Sequence, residues 1–362
     1  MIQKNLCVLF GGVSSEHAIS ILSAASVLQQ LNRERYHILP VGITRDGAWI
    51  YTPDATPEAL TSDTWQTLPR NVPVTLSVNR AFPALLATDG SIAPIPVDCA
   101  FPVLHGKNGE DGTIQGLFEI ADIAYVGPGV AASANAMDKS ITKLLVAPLG
   151  IRQAKWLTFS SREVLQNTEL VAAQIEAAFS YPVFIKPAST GSSVGINKSK
   201  THADLLKHLV EATRFDAKIL VEEFIDGDEI ELAVLGNADP LVSGCGQIKP
   251  GQEFYSFDAK YNDTASQTII PAPLPEALCE SLRAAASEIY TALGCAGLSR
   301  VDFFVTRNTR ELVFNEINTI PGFTEISMYS KLMAAAGLPF VALLDRLIDC
   351  AFAAQAERRQ YV

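Results

Sequence analysis

Positive charge is scarce in this sequence. Among 362 residues there are 28 Lys and Arg against 39 Asp and Glu, a net charge of −11, and no basic run. Nucleic-acid binding needs a surplus of cations along a groove, so no nucleic acid is expected as a partner. An anionic nucleotide is a different matter, because a few lysines and a metal ion supply charge locally. Long apolar runs are also absent. None reaches the roughly 18 uninterrupted residues that span a bilayer, so no membrane partner is expected. The first apolar run, Leu6–Phe10, is five residues long, shorter than the apolar core of a secretory leader. The cytoplasm is the expected compartment.

The six cysteines (Cys7, Cys99, Cys245, Cys279, Cys295, Cys350) form no C-x-x-C pair, and the five histidines show neither H-x-x-x-H nor H-E-x-x-H spacing. Buried free thiols in a reducing compartment are expected, and a zinc site is not. Three familiar signatures are incomplete. Gly127-Pro128-Gly129-Val130-Ala131-Ala132 follows a strand, but residues 140–162 lack the acidic partner that a dinucleotide ribose would want. Gly191-Ser192-Ser193-Val194-Gly195 fits a nucleophile elbow, yet the last histidine, His208, precedes any suitable acid. Phe101 stands where a P-loop ending in Gly106-Lys107 would need its first glycine.

What is present is a globular balance, 48% hydrophobic and 19% charged, long enough for two or three domains. Leu6–Phe10, ending in Gly11-Gly12, reads as a buried parallel strand and a tight turn. Ser14 or Ser15 then caps a helix to about Leu31, and Ile38–Ile43 is the next strand. This β-α-β start argues for an α/β first layer. Residues 44–96 read as short strands and loops, an elaboration of that layer. Val97–Leu104 is another strand, and the Gly-rich loop 105–112 after it belongs at the ligand edge of an open sheet. The small residues of 127–137 suggest a domain junction. Beyond it come strands about a Ser/Gly loop, a helix at 202–213, the strand Lys218–Glu223, mostly strands to 270, and a helix near 276–293. A hairpin at 299–318 and a closing helix at 339–357 follow.

The hairpin carries the strongest chemistry. With its centre near Thr309, Asp302 faces Glu316 and Arg300 faces Asn318, and the strand period of two puts all four on one face. Directly opposed carboxylates repel in a bare sheet. A hard divalent cation such as Mg²⁺ resolves that with Asp, Glu and Asn oxygens. A solvated polar face would carry the same residue types. The loop from Lys186-Pro187 to Gly195 is the second signal. Its glycines let backbone N–H groups approach phosphate, and a lysine precedes them. Ordinary Gly/Ser hairpin turns look similar. Met137-Asp138-Lys139 offers a second lysine.

Taken in chain order, the segments Gly11–His17, Leu104–Gly112, Met137-Asp138-Lys139, Lys186–Gly195, Ala259-Lys260-Tyr261, Arg300-Val301-Asp302 and Asn315–Thr324 resemble the ATP-grasp ligases, and within them the D-alanine–D-alanine ligases. Only 44–96 bears no motif. The resemblance implies a mixed α/β, three-domain ATP-grasp fold with a Rossmann-like N-terminal domain. The implied boundaries are 1–127, 128–222 and 223–362. It implies ATP-dependent activation of one D-alanine as an acyl phosphate and attack by the amine of a second. Two Mg²⁺ ions, for which Mn²⁺ can substitute, and a homodimer are also implied.

The same resemblance assigns roles. Lys139 and Lys186 contact ATP phosphates, and the Ser192-Ser193 loop covers them. Glu222, Glu223, Phe224 and Ile225 form the adenine segment, Glu229 meets the ribose, and Phe304 and Asn315 line the nucleotide. Asp302, Glu316 and Asn318 are the metal ligands. Glu16 anchors the first ammonium, with Ser192 and Tyr261 bonded to it as a lid latch, and His105 borders that substrate. Arg300 and the Gly322 N–H stabilise the tetrahedral oxyanion. Ser327 holds the second carboxylate, with Met328 beside it. Residues 251–264, with Lys260 and Tyr261, match the mobile lid. Tyr261 points to D-alanine, rather than D-lactate, as second substrate.

Overall fold

The apolar run after the N-terminus becomes the strand Lys4–Gly11, buried continuously from Leu6 onward, as a strand covered on both faces must be. It pairs in parallel with Tyr36–Ile43 on one side and with Cys99–Pro102 on the other. Ala124–Tyr125 extends the parallel set. Residues 3–192, 194–249 and 267–361 are described in this computed structural model. The 44–96 elaboration adds four antiparallel strands, Trp49–Tyr51, Val72–Leu76, Ala84–Ala87 and Ile95–Pro96, and widens the sheet to eight.

A second sheet of four antiparallel strands runs in the order Asn197–Ser199, Val183–Pro187, Lys218–Glu223, Trp156–Ser160. It closes over its own apolar core, formed with the helices Thr168–Ala178 and His202–Ala212. The third sheet runs Gln267–Ile269, Gly246–Lys249, Gly227–Gly236, Gly297–Thr306, Leu312–Asn318, with Leu241–Val242 paired to the third of these. The closing helix, Phe340–Arg358, does not stay with that sheet alone. Leu343, Leu344, Leu347 and Ile348 share one core with Leu6, Val8 and Phe101 of the first sheet. That shared core packs one face of the first sheet against the third, which contributes Ala233, Leu235 and Leu298.

One local expectation is corrected. The first helix is His17–Gln30, with Glu16 at the N-cap position. Ser14 does not cap it, because its Oγ accepts the Glu16 N–H at 3.1 Å in the preceding turn. The 127–137 stretch, expected as a domain junction, is mostly helical. Its alanines form the helix Val130–Met137, consistent with alanine's leading helix propensity. All six cysteines are free and buried. No helix among the described residues is long and apolar enough to cross a membrane.

Candidate active site

The hairpin register is the one that period-two reasoning expects. Arg300 pairs with Asn318 and Asp302 with Glu316. Below Asp302 the register shifts, so that Phe303 faces Phe314 and Asn315 is the extra residue. Strict alternation would have turned Phe314 toward the polar face. The bulge instead buries Phe314 completely, edge-on to Phe303 with ring centroids 6.0 Å apart. It leaves Asn315 half-buried beside Glu316.

The next strand adds a residue that the sequence reading missed. Glu231 pairs directly with Asp302, so Glu231, Asp302 and Glu316 form one transverse row across three strands. Glu231 and Asp302 are 3% and 1% exposed, too buried for like charges without compensation. Arg300 supplies part of it. Its Nε and Nη2 each lie 2.7 Å from an Asp302 oxygen, and Nε is 3.1 Å from Glu231 Oε2. Burial alone would lower the Arg300 pKa, but Asp302 and Glu231 outweigh it and hold it well above its ordinary value. Asn318 Nδ2 donates to Asp302 at 3.0 Å, and Lys139 Nζ lies 3.8 Å from Glu316. Among the described residues no three of His, Cys, Asp or Glu converge on one point as a finished ion site. The donor set still suits a hard divalent ion, because it offers three carboxylates in a row and an amide oxygen.

The glycine loop lies over this row. Lys139 Nζ donates to Thr190 O at 2.8 Å. Ser192, held at φ +49°, donates its hydroxyl to Glu16. Glu16 is 5% exposed and fits there only because two neighbours lack side chains. A Cβ on Gly106 would come within 2.4 Å of its carboxylate, and one on Gly191 within 2.7 Å. Glu16, Ser192, Arg300, Asn318, Gly322 and Ser327 line one cleft of about 480 Å³. A smaller pocket, bounded by Lys139, Glu316 and the Thr190–Ser192 backbone, shares Ser192 and Asn318 with it.

Lys186 lies on the strand Val183–Pro187 that leads into the loop. Its Nζ is 2.5 Å from Glu222 Oε2, and the other oxygen of Glu222 is 2.5 Å from Lys143 Nζ. Burial would raise the Glu222 pKa, but the two ammonium groups win and hold it at about 2. Burial would likewise lower that of Lys186, and Glu222, Glu316 and Glu229 reverse the sign and raise it. Lys143 is 1% exposed, lies 5.2 Å from the Trp156 ring centroid, and was not expected from sequence. Its signal is its spacing: it lies four residues after Lys139 on the helix Lys139–Val146, hence on the same face.

Strand alternation separates Glu223 from Glu222, and the Glu223 carboxylate accepts the Lys155 N–H at 2.9 Å. Phe224 is stacked on Phe184 at 6.2 Å. Ile225, Glu229 and Phe304 are half-buried, with Glu229 paired to Phe304. Ser327, at the N-cap of the helix Met328–Ala335, takes the Thr324 N–H at 3.0 Å. Met328 is buried against Gly246, where a Cβ would be 2.9 Å from its sulfur. Lys331, also missed by sequence, lines the same cleft and donates to Thr268 at 3.1 Å. Both ring nitrogens of His105 are engaged within the protein. The expectations for Ser193, Lys260 and Tyr261 lie outside the described residues.

The Lys143–Glu222–Lys186 bridge makes a prediction. The depressed Glu222 contributes stability that is complete above its ordinary pKa of 4.5 and is lost as pH falls through about 2. Lys143→Met removes one cation and leaves the carboxylate half-compensated. The expected result is a loss of about 3–5 kcal/mol at neutral pH and an acid unfolding midpoint moved upward. Urea melts across the acid range check it. An unchanged acid midpoint would show that Lys143 does not hold Glu222 ionised.

A doubly flanked α/β sheet, a small antiparallel sheet carrying a glycine loop, and a larger sheet carrying an acidic row, all meeting at one cleft, make up the fold of an ATP-grasp ligase. The comparisons agree. The family models described as D-ala D-ala ligase N-terminus and D-ala D-ala ligase C-terminus match residues 5–128 and 145–349. The chain is 46% identical over 361 residues to the D-alanine–D-alanine ligase of Caldicellulosiruptor bescii, covering 99% of this chain and 98% of that protein. Among solved structures it is similar to the VanG D-Ala:D-Ser ligase of Enterococcus faecalis (TM-score 0.87, 40% identity, 97% and 100% of the two chains). The D-alanine–D-alanine ligase of Coxiella burnetii gives TM-score 0.87 at 35% identity, covering 99% of this chain and 97% of that one. The chain belongs to the D-alanine–D-alanine ligase family.

Proposed function

We propose that this chain is an ATP-dependent D-alanine–D-alanine ligase. A carboxylate oxygen of the first D-alanine attacks the γ-phosphorus of ATP, and ADP leaves. The amine of the second D-alanine attacks the resulting acyl phosphate. The bond from carbonyl carbon to phosphate oxygen breaks, the nitrogen loses a proton, and D-alanyl-D-alanine and phosphate are released for peptidoglycan synthesis. Phosphoryl transfer asks the protein for positioning and charge neutralisation more than for covalent help.

The observation that carries this reading is one cleft lined together by Glu16, Ser192, Arg300, Gly322 and Ser327. In it, Glu16 holds the first ammonium and Ser192 closes on it. Lys139 and Lys186 face the phosphates, with Ser193 of the covering loop. Glu222, Glu223, Phe224, Ile225, Glu229, Phe304 and Asn315 take the nucleoside. Arg300 and Gly322 N–H receive the developing oxyanion, and Ser327 takes the second carboxylate beside Met328. Asp302, Glu316 and Asn318, joined by Glu231, would hold divalent metal, which we assign as two Mg²⁺, with Mn²⁺ able to replace them. Bound metal would neutralise phosphate charge during transfer. Lys260 and Tyr261 belong to the lid of this reading. The domains divide at 1–127, 128–222 and 223–362, the protein is cytoplasmic, and it acts as a homodimer.

D-serine as second substrate is the other reading, favoured by the likeness to the D-Ala:D-Ser ligase. Product identity decides. With Mg-ATP, D-alanine and equal D-serine or D-lactate, mass spectrometry is expected to find D-alanyl-D-alanine as the dominant product. A dominant D-alanyl-D-serine would transfer the chain to the second reading.

A further inference from the structure

The turn that carries the oxyanion donor is held from outside its own sheet. Within Ile320–Thr324, Pro321 has no N–H. Ile320 N–H donates to Glu110 at 3.1 Å, Phe323 N–H to Ser23 at 3.3 Å and Thr324 N–H to Ser327 at 3.0 Å. Gly322 N–H alone donates to none of the described residues, and Gly322 lines the cleft.

The restraints form one chain of hydrogen bonds. Ile320 O can only accept, so the His105 Nδ1 that lies 3.0 Å from it carries the proton. Nε2 is then an acceptor, and the Ser23 hydroxyl, 3.0 Å away, donates to it. The same Ser23 oxygen accepts the Phe323 N–H. Glu110 closes the other side, taking Gly106 N–H at 2.7 Å with one oxygen and Ile320 N–H with the other. Ser23 is fully buried, His105 is 3% exposed and Glu110 is 9% exposed. Burial lowers the pKa of His105 and, with Glu16, raises that of Glu110 to about 8. A neutral imidazole fits this proton order.

We propose that Ser23 is a positioning residue for amide-bond formation: through His105, and alongside Glu110, it clamps the peptide units on both sides of Pro321-Gly322 so that the Gly322 N–H stays directed at the reacting carbonyl. In this role His105 serves the turn rather than the substrate. The inference rests on the ligase reading above and adds a residue to it. It also explains why a serine sits fully buried in a helix whose other cleft-lining residues, Ile19 and Leu22, are apolar.

The test compares Ser23→Ala and Ser23→Cys with the unaltered enzyme, each checked by thermal melting. Ser23→Ala is expected to lower kcat by about 10- to 100-fold, with KM for ATP and for the first D-alanine nearly unchanged. Affinity for a phosphinate analogue of the tetrahedral intermediate should fall by the same factor, because only the transition state uses the donor. Ser23→Cys, which keeps a weak donor, should lie between. Normal kcat in both variants would overturn the proposal. So would a rise in the first D-alanine KM with analogue affinity retained, which would make His105 a substrate contact. If Ser23→Ala fails to fold, Ser23→Cys decides by the same criteria. Failure of the unaltered enzyme to make dipeptide would instead sink the ligase reading itself.

Discussion

Asp302→Asn is expected to reduce turnover on the order of a thousandfold while the protein stays folded. The side chain keeps its size, and Asn can still accept one bond from Arg300. What disappears is the central charge of the Glu231–Asp302–Glu316 row. The remaining pair, Glu231 and Glu316, lies on strands that are not neighbours in the sheet. A divalent ion would lose the carboxylate that stands between them. The check is ADP release against Mg²⁺ concentration, with circular dichroism and melting to confirm the fold. Turnover near normal at ordinary Mg²⁺ would remove Asp302 from the metal site and leave the row as a structural ion-pair network.

Arg300→Lys is expected to cost about 100- to 1000-fold in kcat. Lysine keeps the charge but not the planar fork, which now spans Asp302 and Glu231 together. A single ammonium cannot hold both carboxylates and also meet an oxyanion. KM for ATP should change little, because the loss falls on the transition state. The competing account makes Arg300 a counter-ion only. It predicts a lower melting temperature with kcat reduced little, so kcat and melting measured on one preparation separate the two.

The hairpin shows how much was legible in the sequence and where legibility ended. Alternation alone placed Arg300, Asp302, Glu316 and Asn318 in their observed pairs. It also carried a contradiction, since Phe314 and Ile317 cannot share a face in an unbroken strand. The bulge at Asn315 resolves that, and the contradiction was its sequence trace. Glu231 had a trace too, as a carboxylate flanked by Ile230 and Leu232 in a strand otherwise apolar to its end. Lys143 had its spacing from Lys139. Ser23 had none, and Glu110 was legible only as part of the 105–112 loop. Apart from Gly106, four residues from Glu110, their partners lie 82 to 300 residues away, and hydrogen bonds across such separations leave no local pattern. The helix start failed for a different reason. Ser14 is a good cap by type, but its oxygen serves the turn that aims Glu16.

The central claim is that a carboxylate is activated by phosphorylation before an amine attacks it. D-alanine labelled with ¹⁸O in its carboxylate, incubated with Mg-ATP and the enzyme, tests that in one tube. The account predicts D-alanyl-D-alanine together with inorganic phosphate that carries one ¹⁸O atom per dipeptide formed. Dipeptide accompanied by unlabelled phosphate, or ADP release with no dipeptide, would contradict it.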